Sequence, residues 1–192
     1  ANIDTRAASK TLIFLHQKYL QFFAEIQGRV FITRYPATDE SSSYINAVKV
    51  DGFRSPGRFI VTQQPLPNTL GDFWRLVDEN SNSSYSVIVS LNEINPRDTT
   101  SCDFWPTTTN PQMKPIPPII LRHQNTLCSE YYDVITIHLH SESRKDFLPV
   151  QVLSMKNWPP RVNSPTSVEE FLTFMEQADS TSRGTTPIFV TC

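Results

Sequence analysis

Cysteine is scarce in this sequence, and its spacing excludes two common cysteine-based architectures. Only three cysteines occur among 192 residues, at Cys102, Cys128 and Cys192, and no two of them form a CxxC pair. An odd number at scattered spacing builds neither a disulfide framework nor a cysteine zinc site. The composition therefore favours a reducing compartment.

Long apolar runs and clusters of positive charge are also lacking. No stretch approaches the roughly 20 apolar residues that a membrane span needs, and residues 1–10 carry no signal-peptide pattern. Lys and Arg number 17 against 19 Asp and Glu, which gives a formal net charge of -2. We therefore expect neither nucleic-acid binding nor direct membrane contact by this segment.

The composition and length are those of one folded domain. Apolar residues make up 39% of the chain and charged residues 19%, which is typical of a globular protein. A length of 192 residues suits a single domain of roughly 100 to 200 residues. No internal repeat or linker-like composition divides the chain.

The first helix is predicted over residues 9–28. Its apolar positions recur at spacings of three and four, on one helical face, at Leu12, Leu15, Tyr19, Phe22 and Ile26. Gly28 is a typical helix end. We divide the chain accordingly into an N-terminal helical segment, 1–28, and a domain covering 29–192.

Two further helices are predicted with a capping box at each N-terminus. Thr69 and Asp72 stand in that arrangement within residues 65–80, and Ser167 and Glu170 do so at the start of 167–178. Both segments carry an apolar stripe of helical period.

Strand-like segments occupy most of the remaining chain. Residues 85–94, "YSVIVSLNEI", are almost continuously apolar, which is typical of a strand buried on both faces near the centre of a sheet. The Pro-rich segment 105–118 is predicted as a loop. The other strand candidates are residues 29–35, a hairpin of 44–50 and 58–63, and then 119–123, 131–140, 148–155 and 186–192. The pattern predicts one α+β domain with a mixed sheet.

Three local patterns have ordinary structural explanations. His138 and His140 share one face of a strand, as a metal pair could, but no third ligand has matching spacing, so we predict no metal site. The aromatic residues Phe73, Trp74, Phe104 and Trp105 are interpreted as core rather than as a ligand cage. The sequon at 82–84 is discounted because it matters only in a secreted protein.

Cys192 stands out by position. It directly follows the apolar residues 188–190 and Thr191, and a cysteine leaving a buried strand can be held at the mouth of an anion-binding turn. Taken alone, the same residue also fits an inert buried thiol.

Several longer motifs together resemble one family. "YINAVKVDGF", "FIVTQQPLPNTLGDFWRLV", "VIVSLNEI", "CDFWP", "NWPP" and "PIFVTC" occur in the order and approximate spacing of protein tyrosine phosphatase domains. Over residues 29–192 the chain is most similar to the second, membrane-distal domain of receptor-type members. The resemblance implies a three-layer α/β/α-like fold with a highly twisted mixed sheet. It also implies that "IFVTC" leads into the phosphate-binding loop, so that the C-terminal part of the domain follows Cys192.

The same resemblance implies a damaged catalytic set. Cys192 matches the nucleophile, but Thr191 replaces the histidine that precedes it in the family. In "NWPP", Trp158 matches the family's mobile loop, whereas Pro160 occupies the place of its general-acid aspartate. Proline has no proton to donate.

The remaining implied positions concern substrate binding. Gln63 and Gln64 match the family's "TQGPLP" stretch with glutamine in place of glycine, and together with Trp158 and Thr191 they are the predicted substrate-binding residues. The stretch that grips the phosphotyrosine ring has no clear counterpart, because Arg34, Tyr35 and Pro36 imitate it at the wrong spacing. No cofactor is implied.

These features predict a catalytically impaired phosphatase-like domain. The implied partners are a phosphotyrosine protein or an adjacent phosphatase domain, on the cytoplasmic side of the plasma membrane within a single-pass receptor. One alternative is an active phosphatase in which Glu169 or Glu170 supplies the acid, although both lie on the solvent face of the predicted helix. The other is an unrelated α+β interaction domain.

Overall fold

The computed structural model describes most of the predicted domain. The described residues are 28–34, 37–38, 43–53, 55–81, 84–91, 102–158, 164–182 and 187–192. The predicted N-terminal helix, residues 9–28, falls outside the described residues except for Gly28 at its end.

Nine strands and two helices make up the described part of the chain. The helices are α1, Leu70–Asn80, and α2, Val168–Ser182. The strands are β1 Arg29–Phe31, β2 Tyr44–Gly52, β3 Ser55–Thr62, β4 Ser86–Ser90, β5 Gln112–Ile116, β6 Ile119–Cys128, β7 Tyr132–His140, β8 Leu148–Met155 and β9 Ile188–Thr191.

All nine strands join one mixed sheet, as predicted. Their order is β1-β2-β3-β9-β4-β8-β7-β6-β5. The four inner strands β3, β9, β4 and β8 are parallel, and antiparallel hairpins extend the sheet on both sides. β4 is the fifth of nine strands and all five of its residues are buried, which confirms the prediction of a central strand.

A helix covers each face of the sheet. Because side chains alternate along a strand, Ile88 joins the core under α1, while Val87 and Val89 join the core under α2. This explains why β4 is apolar at consecutive positions. The predicted α/β/α-like layering is confirmed.

The core under α1 contains the predicted aromatic cluster. Phe73 packs edge to face against Trp74 and Phe104, at ring-centroid distances of 5.5 and 5.4 Å. The indole N–H of Trp74 donates a hydrogen bond to the Phe104 carbonyl oxygen at 2.7 Å. Trp105 is 7% exposed, so the interpretation of all four rings as core is confirmed.

Two local predictions were wrong in detail. Thr69 precedes α1 without a side-chain cap, and its hydroxyl instead accepts a hydrogen bond from the Leu66 N–H at 2.9 Å. The segment predicted as a loop over 105–118 contains strand β5. Its Pro115 is tolerated because β5 is the edge strand, where a missing N–H breaks no ladder hydrogen bond.

The capping box of α2 forms only in part. The Glu170 N–H donates to the Ser167 hydroxyl at 3.3 Å. The Glu170 carboxylate does not close the box in the described contacts, but accepts a hydrogen bond from the side chain of Asn157 at 2.9 Å. A tertiary contact thus takes the place of the local one.

Arg144 fastens the loop between β7 and β8 to the end of α1. Its Nε lies 2.5 Å from an Asp78 carboxylate oxygen, and its Nη2 donates to the carbonyl oxygens of Asp78 and Ser81. The side chains of Arg144 and Asp78 are only 13% and 9% exposed. A cation at this place both pairs a nearly buried carboxylate and satisfies carbonyls that a helix end leaves open.

We expect Arg144→Ala to lower the free energy of unfolding by about 2 to 3 kcal/mol, somewhat less than for a fully buried pair. The loss arises because Asp78 keeps its charge without its partner. Lys145→Ala is the matched control, since Lys145 is exposed in the same loop, and it should change stability by less than about 0.5 kcal/mol. Urea denaturation measures both; equal effects would show that the pair does not hold the loop.

Candidate functional site

The carboxyl ends of four parallel strands meet at one edge of the sheet. β3, β9, β4 and β8 are adjacent in that order. Gln63 and Gln64 follow β3, Cys192 follows β9, and Trp158 lies three residues beyond β8. The fold therefore brings predicted site residues to one edge, the edge where open sheets with parallel strands bind ligands.

Cys192 is held at this edge by backbone contacts. Its carbonyl oxygen accepts a hydrogen bond from the Gln64 N–H at 3.1 Å. The residue is half-buried, packs against the core under α2, and is not disulfide-bonded. The structure thus places a free thiol at the carboxyl end of β9, and the assignment of Cys192 as the nucleophile stays a prediction.

Thr191 is fully buried between the two neighbouring strands. It pairs with Thr62 of β3 and Ser90 of β4, and its carbonyl oxygen accepts a hydrogen bond from the Leu91 N–H at 3.1 Å. Its hydroxyl lies 3.5 Å from the Val89 carbonyl oxygen, a long hydrogen bond at best. Its described contact is therefore with the β4 backbone.

The two glutamines have different surroundings. Gln63 is exposed, and its Oε1 accepts a hydrogen bond from the Asn46 side chain at 3.4 Å. Gln64 is half-buried, and its Nε2 is buried without a hydrogen-bond partner among the described residues. A buried amide donor without a partner is costly, so Gln64, whose backbone contacts Cys192, carries a donor that no described residue accepts.

Trp158 is 1% exposed and packs edge to face on Phe171 of α2, with ring centroids 5.6 Å apart. The preceding residue, Asn157, accepts hydrogen bonds at its carbonyl oxygen from the Thr166 hydroxyl at 2.8 Å and from the Thr166 N–H at 3.1 Å. The Asn157 side chain also donates to Glu170. The start of the "NWPP" segment is therefore fixed to α2.

The remaining part of that segment is not described. Pro159 and Pro160 lie outside the described residues, and the assignment of Pro160 to the general-acid position stays a prediction. Of the alternative acids, Glu169 is exposed and Glu170 is half-buried against Asn157.

The two histidines share a face of β7 and lie beside Phe147. Ring centroids of His138 and His140 lie 3.7 and 5.9 Å from that of Phe147. Within the described ranges, no group of three His, Cys, Asp or Glu side chains is placed to hold a metal ion.

A cleft of about 760 Å³ lies on the α1 side of the sheet, away from the strand-end edge. The end of α1, the turn at 117–118 and the loop 141–146 line it, and none of the predicted site residues does. The volume of this cleft does not identify it as the functional site, because the predicted site residues lie at the strand-end edge instead.

Three contacts at the edge were not anticipated from the sequence. Asn46 accepts, at its carbonyl oxygen, hydrogen bonds from the Gln63 N–H and the Thr62 hydroxyl. Cys102 places its sulfur 3.3 Å from the Pro65 carbonyl oxygen, and burial, followed by the neighbouring charge of Asp103, raises the pKa of that thiol. Asn157 fastens the Trp158 segment. All three residues lie inside quoted motifs, "YINAVKVDGF", "CDFWP" and "NWPP", but the motifs did not indicate these contacts.

No helix in the described part of the chain is long and apolar enough to span a bilayer.

Comparison with known proteins points to one family. The family profile for protein-tyrosine phosphatase matches residues 16–192. Among curated proteins, the chain is 29% identical over 169 residues to Tyrosine-protein phosphatase Lar-like of Caenorhabditis elegans, covering 86% of the chain and 7% of that protein. It is 29% identical over 178 residues to Receptor-type tyrosine-protein phosphatase F of Homo sapiens, covering 91% of the chain and 9% of that protein. The chain thus spans less than a tenth of the length of these relatives.

Solved structures show the same fold. A structure of PTPN18 in complex with HER2 phosphopeptides matches with a TM-score of 0.71 at 25% identity, covering 86% of this chain and 59% of that one. A second PTPN18 structure matches with the same TM-score at 24% identity, covering 86% and 56%.

Proposed function

Because the chain belongs to the protein-tyrosine phosphatase family, we propose that it is a catalytically impaired, regulatory domain of a receptor-type member, which binds phosphotyrosine protein without efficient turnover. The second partner proposed for this domain is an adjacent phosphatase domain. The relatives in Caenorhabditis elegans and Homo sapiens support the receptor-type assignment. Such a domain acts on the cytoplasmic side of the plasma membrane.

The residue that carries the proposal is Pro160. In this family, as the resemblance implies, a thiolate attacks phosphorus, the bond from phosphorus to the tyrosine oxygen breaks, and an acid protonates the departing oxygen. A tyrosine leaving group has a pKa of about 10, so it leaves poorly as an anion. Loss of the acid should slow the reaction by roughly 10²- to 10⁴-fold.

Thr191 supports the same conclusion by a different route. A histidine before the nucleophile could stabilise the thiolate as a hydrogen-bond donor or a cation. The Thr191 hydroxyl is fully buried and its described contact is with the Val89 carbonyl oxygen. A neutral group with that contact offers the thiolate little stabilisation.

Binding is a separate requirement and depends on fewer groups. The strand-end edge carries Cys192, a Gln64 side-chain donor that no described residue accepts, and a Trp158 segment fixed to α2. One of the similar PTPN18 structures is a complex with phosphopeptides, which supports phosphotyrosine as the ligand class. The proposal therefore separates recognition from turnover.

An active phosphatase is the second candidate. One observation favours it: the Glu170 carboxylate lies 2.9 Å from the Asn157 side chain, one residue before Trp158. A carboxylate at the base of this loop is a candidate replacement for the missing acid.

Isothermal titration of a longer protein that continues past Cys192 tests the proposal. A phosphotyrosyl peptide should bind at least about tenfold more tightly than its tyrosine counterpart, since a hydrogen bond to a charged group contributes about 1.5 to 3 kcal/mol. Cys192→Ser is the control and should retain that preference. Equal affinity for the two peptides would contradict a phosphotyrosine-binding role.

A further inference from the structure

The outer face of the sheet between β5 and β8 carries a compact basic and aromatic surface that the proposed function does not use. We call it the His138 face, and it consists of Gln112, Arg122, His138, His140 and Phe147. Gln112, Arg122, His138 and Pro149 pair in succession across β5, β6, β7 and β8, so they form one row across the sheet. Directly opposed residues of antiparallel strands share a face.

The side chains of this row are accessible. Gln112 and Arg122 are exposed, both histidines are partly exposed, and Phe147 is 40% exposed. Phe147 stacks on His138 with an interplanar angle of 16°. The face thus presents an aromatic ring beside an arginine, a combination enriched in protein-binding surfaces.

The titratable residues named for this face, Arg122, His138 and His140, are all basic. None of the strand partners of Arg122, His138 or His140 is acidic. The carboxylates nearest in sequence, Glu142 and Asp146, line the cleft on the α1 side of the sheet. In a chain of net charge -2, the strand pairings of this face therefore bring no negative charge to it among the residues that the structure describes.

We propose that the His138 face docks an acidic segment of a partner protein, and that docking strengthens as the pH falls. Arg122 is the permanent cation, and the two histidines add charge only when protonated. Phe147 supplies apolar contact beside them. The site is separate from the strand-end edge, so it goes beyond the proposed function.

The direction of the pH effect follows from the surroundings of the histidines. Burial, and then the neighbouring charge of His140, lowers the pKa of His138 from its ordinary value of 6.5. His138 is therefore mainly neutral at pH 7.5 and gains its proton below the usual range. Among the described residues, the groups facing it are Arg122, His140, Phe147 and Pro149. An acidic ligand would add carboxylates to these contacts and would favour protonation.

Fluorescence anisotropy with a labelled twelve-residue Glu-rich peptide tests this proposal on the full chain at low salt. The peptide keeps its charge at pH 5.5, because the pKa of glutamate is about 4.3. We expect binding to tighten by about 3- to 30-fold from pH 7.5 to pH 5.5, as protonation adds positive charge to the face. A peptide with Gln at every Glu position should not bind.

Variants assign the effect to the face. Arg122→Glu should weaken binding by about 3- to 10-fold, whereas Lys145→Glu, an equal charge reversal on the α1 side of the sheet, should not. Replacing both histidines, His138→Gln with His140→Gln, should remove the pH dependence while the affinity at pH 7.5 stays the same. Thermal melting would verify that each variant is folded.

Three results would overturn the proposal. The first is equal weakening by Arg122→Glu and Lys145→Glu, which would mean general charge attraction. The second is a pH dependence that survives loss of both histidines. The third is binding to vesicles containing phosphatidylserine without binding to the peptide, which would make the ligand a membrane. None of these results bears on the chemistry at Cys192, so the proposed function is tested independently.

Discussion

Val89→Asp should prevent the domain from folding. Val89 is 1% exposed in the central strand β4, and its side chain lies in the core under α2. An aspartate there would bury an unpaired carboxylate and remove apolar contacts. The cost should be about 5 kcal/mol or more, which equals or exceeds the stability of many domains of this size.

The matched control is the same change at an exposed position. Val168 begins α2 and is 63% exposed. Val168→Asp places a negative charge in the first turn of a helix, where the helix dipole favours it, so stability should change by less than about 1 kcal/mol. Circular dichroism during thermal unfolding measures both variants. A cooperative transition for Val89→Asp close to that of the parent would mean that β4 is not central.

Pro160→Asp should increase phosphotyrosine turnover by about 10- to 100-fold in a longer protein that contains the complete phosphate-binding loop. The reason is that aspartate supplies the proton donor that the leaving oxygen requires. Rescue should be partial, because Thr191 remains and catalytic groups that act together do not contribute additively.

Pro160→Ala is the control for this prediction. Both variants remove the restriction that proline places on its own φ and on the preceding residue, but only aspartate adds an acid. The measurement is kcat from pH 5 to 8. The aspartate variant should lose rate at higher pH, because its carboxylic acid must be protonated to donate. Equal rates for both variants would mean that Pro160 does not occupy the acid position.

Much of the sheet could be predicted because its inner strands are apolar over their whole length. Residues 85–94 read as a strand buried on both faces, and β4 is central with every residue buried. The hairpin of β2 and β3 followed from two β-rich segments, 44–50 and 58–63, separated by a turn-like stretch. The structure extends the strands into that stretch, to Gly52 and from Ser55. Apolar patterning determines these elements directly, because burial on two faces leaves no polar positions.

Other elements depend on contacts between distant parts of the chain. β5 was hidden in a proline-rich segment because a strand at a sheet edge can include Pro115. The capping box at Glu170 was incomplete because its carboxylate binds Asn157, thirteen residues earlier. Rules that consider only neighbouring residues in the sequence do not include such contacts between distant residues.

The candidate site was predicted in composition but not in geometry. Motif order identified Cys192, Gln64 and Trp158, and the parallel strands bring them to one edge. The hydrogen bond from the Gln64 N–H to the Cys192 carbonyl oxygen depends on the register of β3 against β9. Register between parallel strands is set by tertiary packing, so the sequence alone could not supply this contact.

The most direct test of the central claim is steady-state hydrolysis of a phosphotyrosyl peptide by a longer protein that continues past Cys192, measured beside its Cys192→Ser variant. The serine variant defines the background, because it keeps the fold and removes the nucleophilic thiol. An impaired domain should hydrolyse the peptide within about tenfold of that background, since a lost general acid alone costs roughly 10²- to 10⁴-fold. A parent rate about 10⁴-fold or more above the serine variant would contradict the account and establish an active phosphatase.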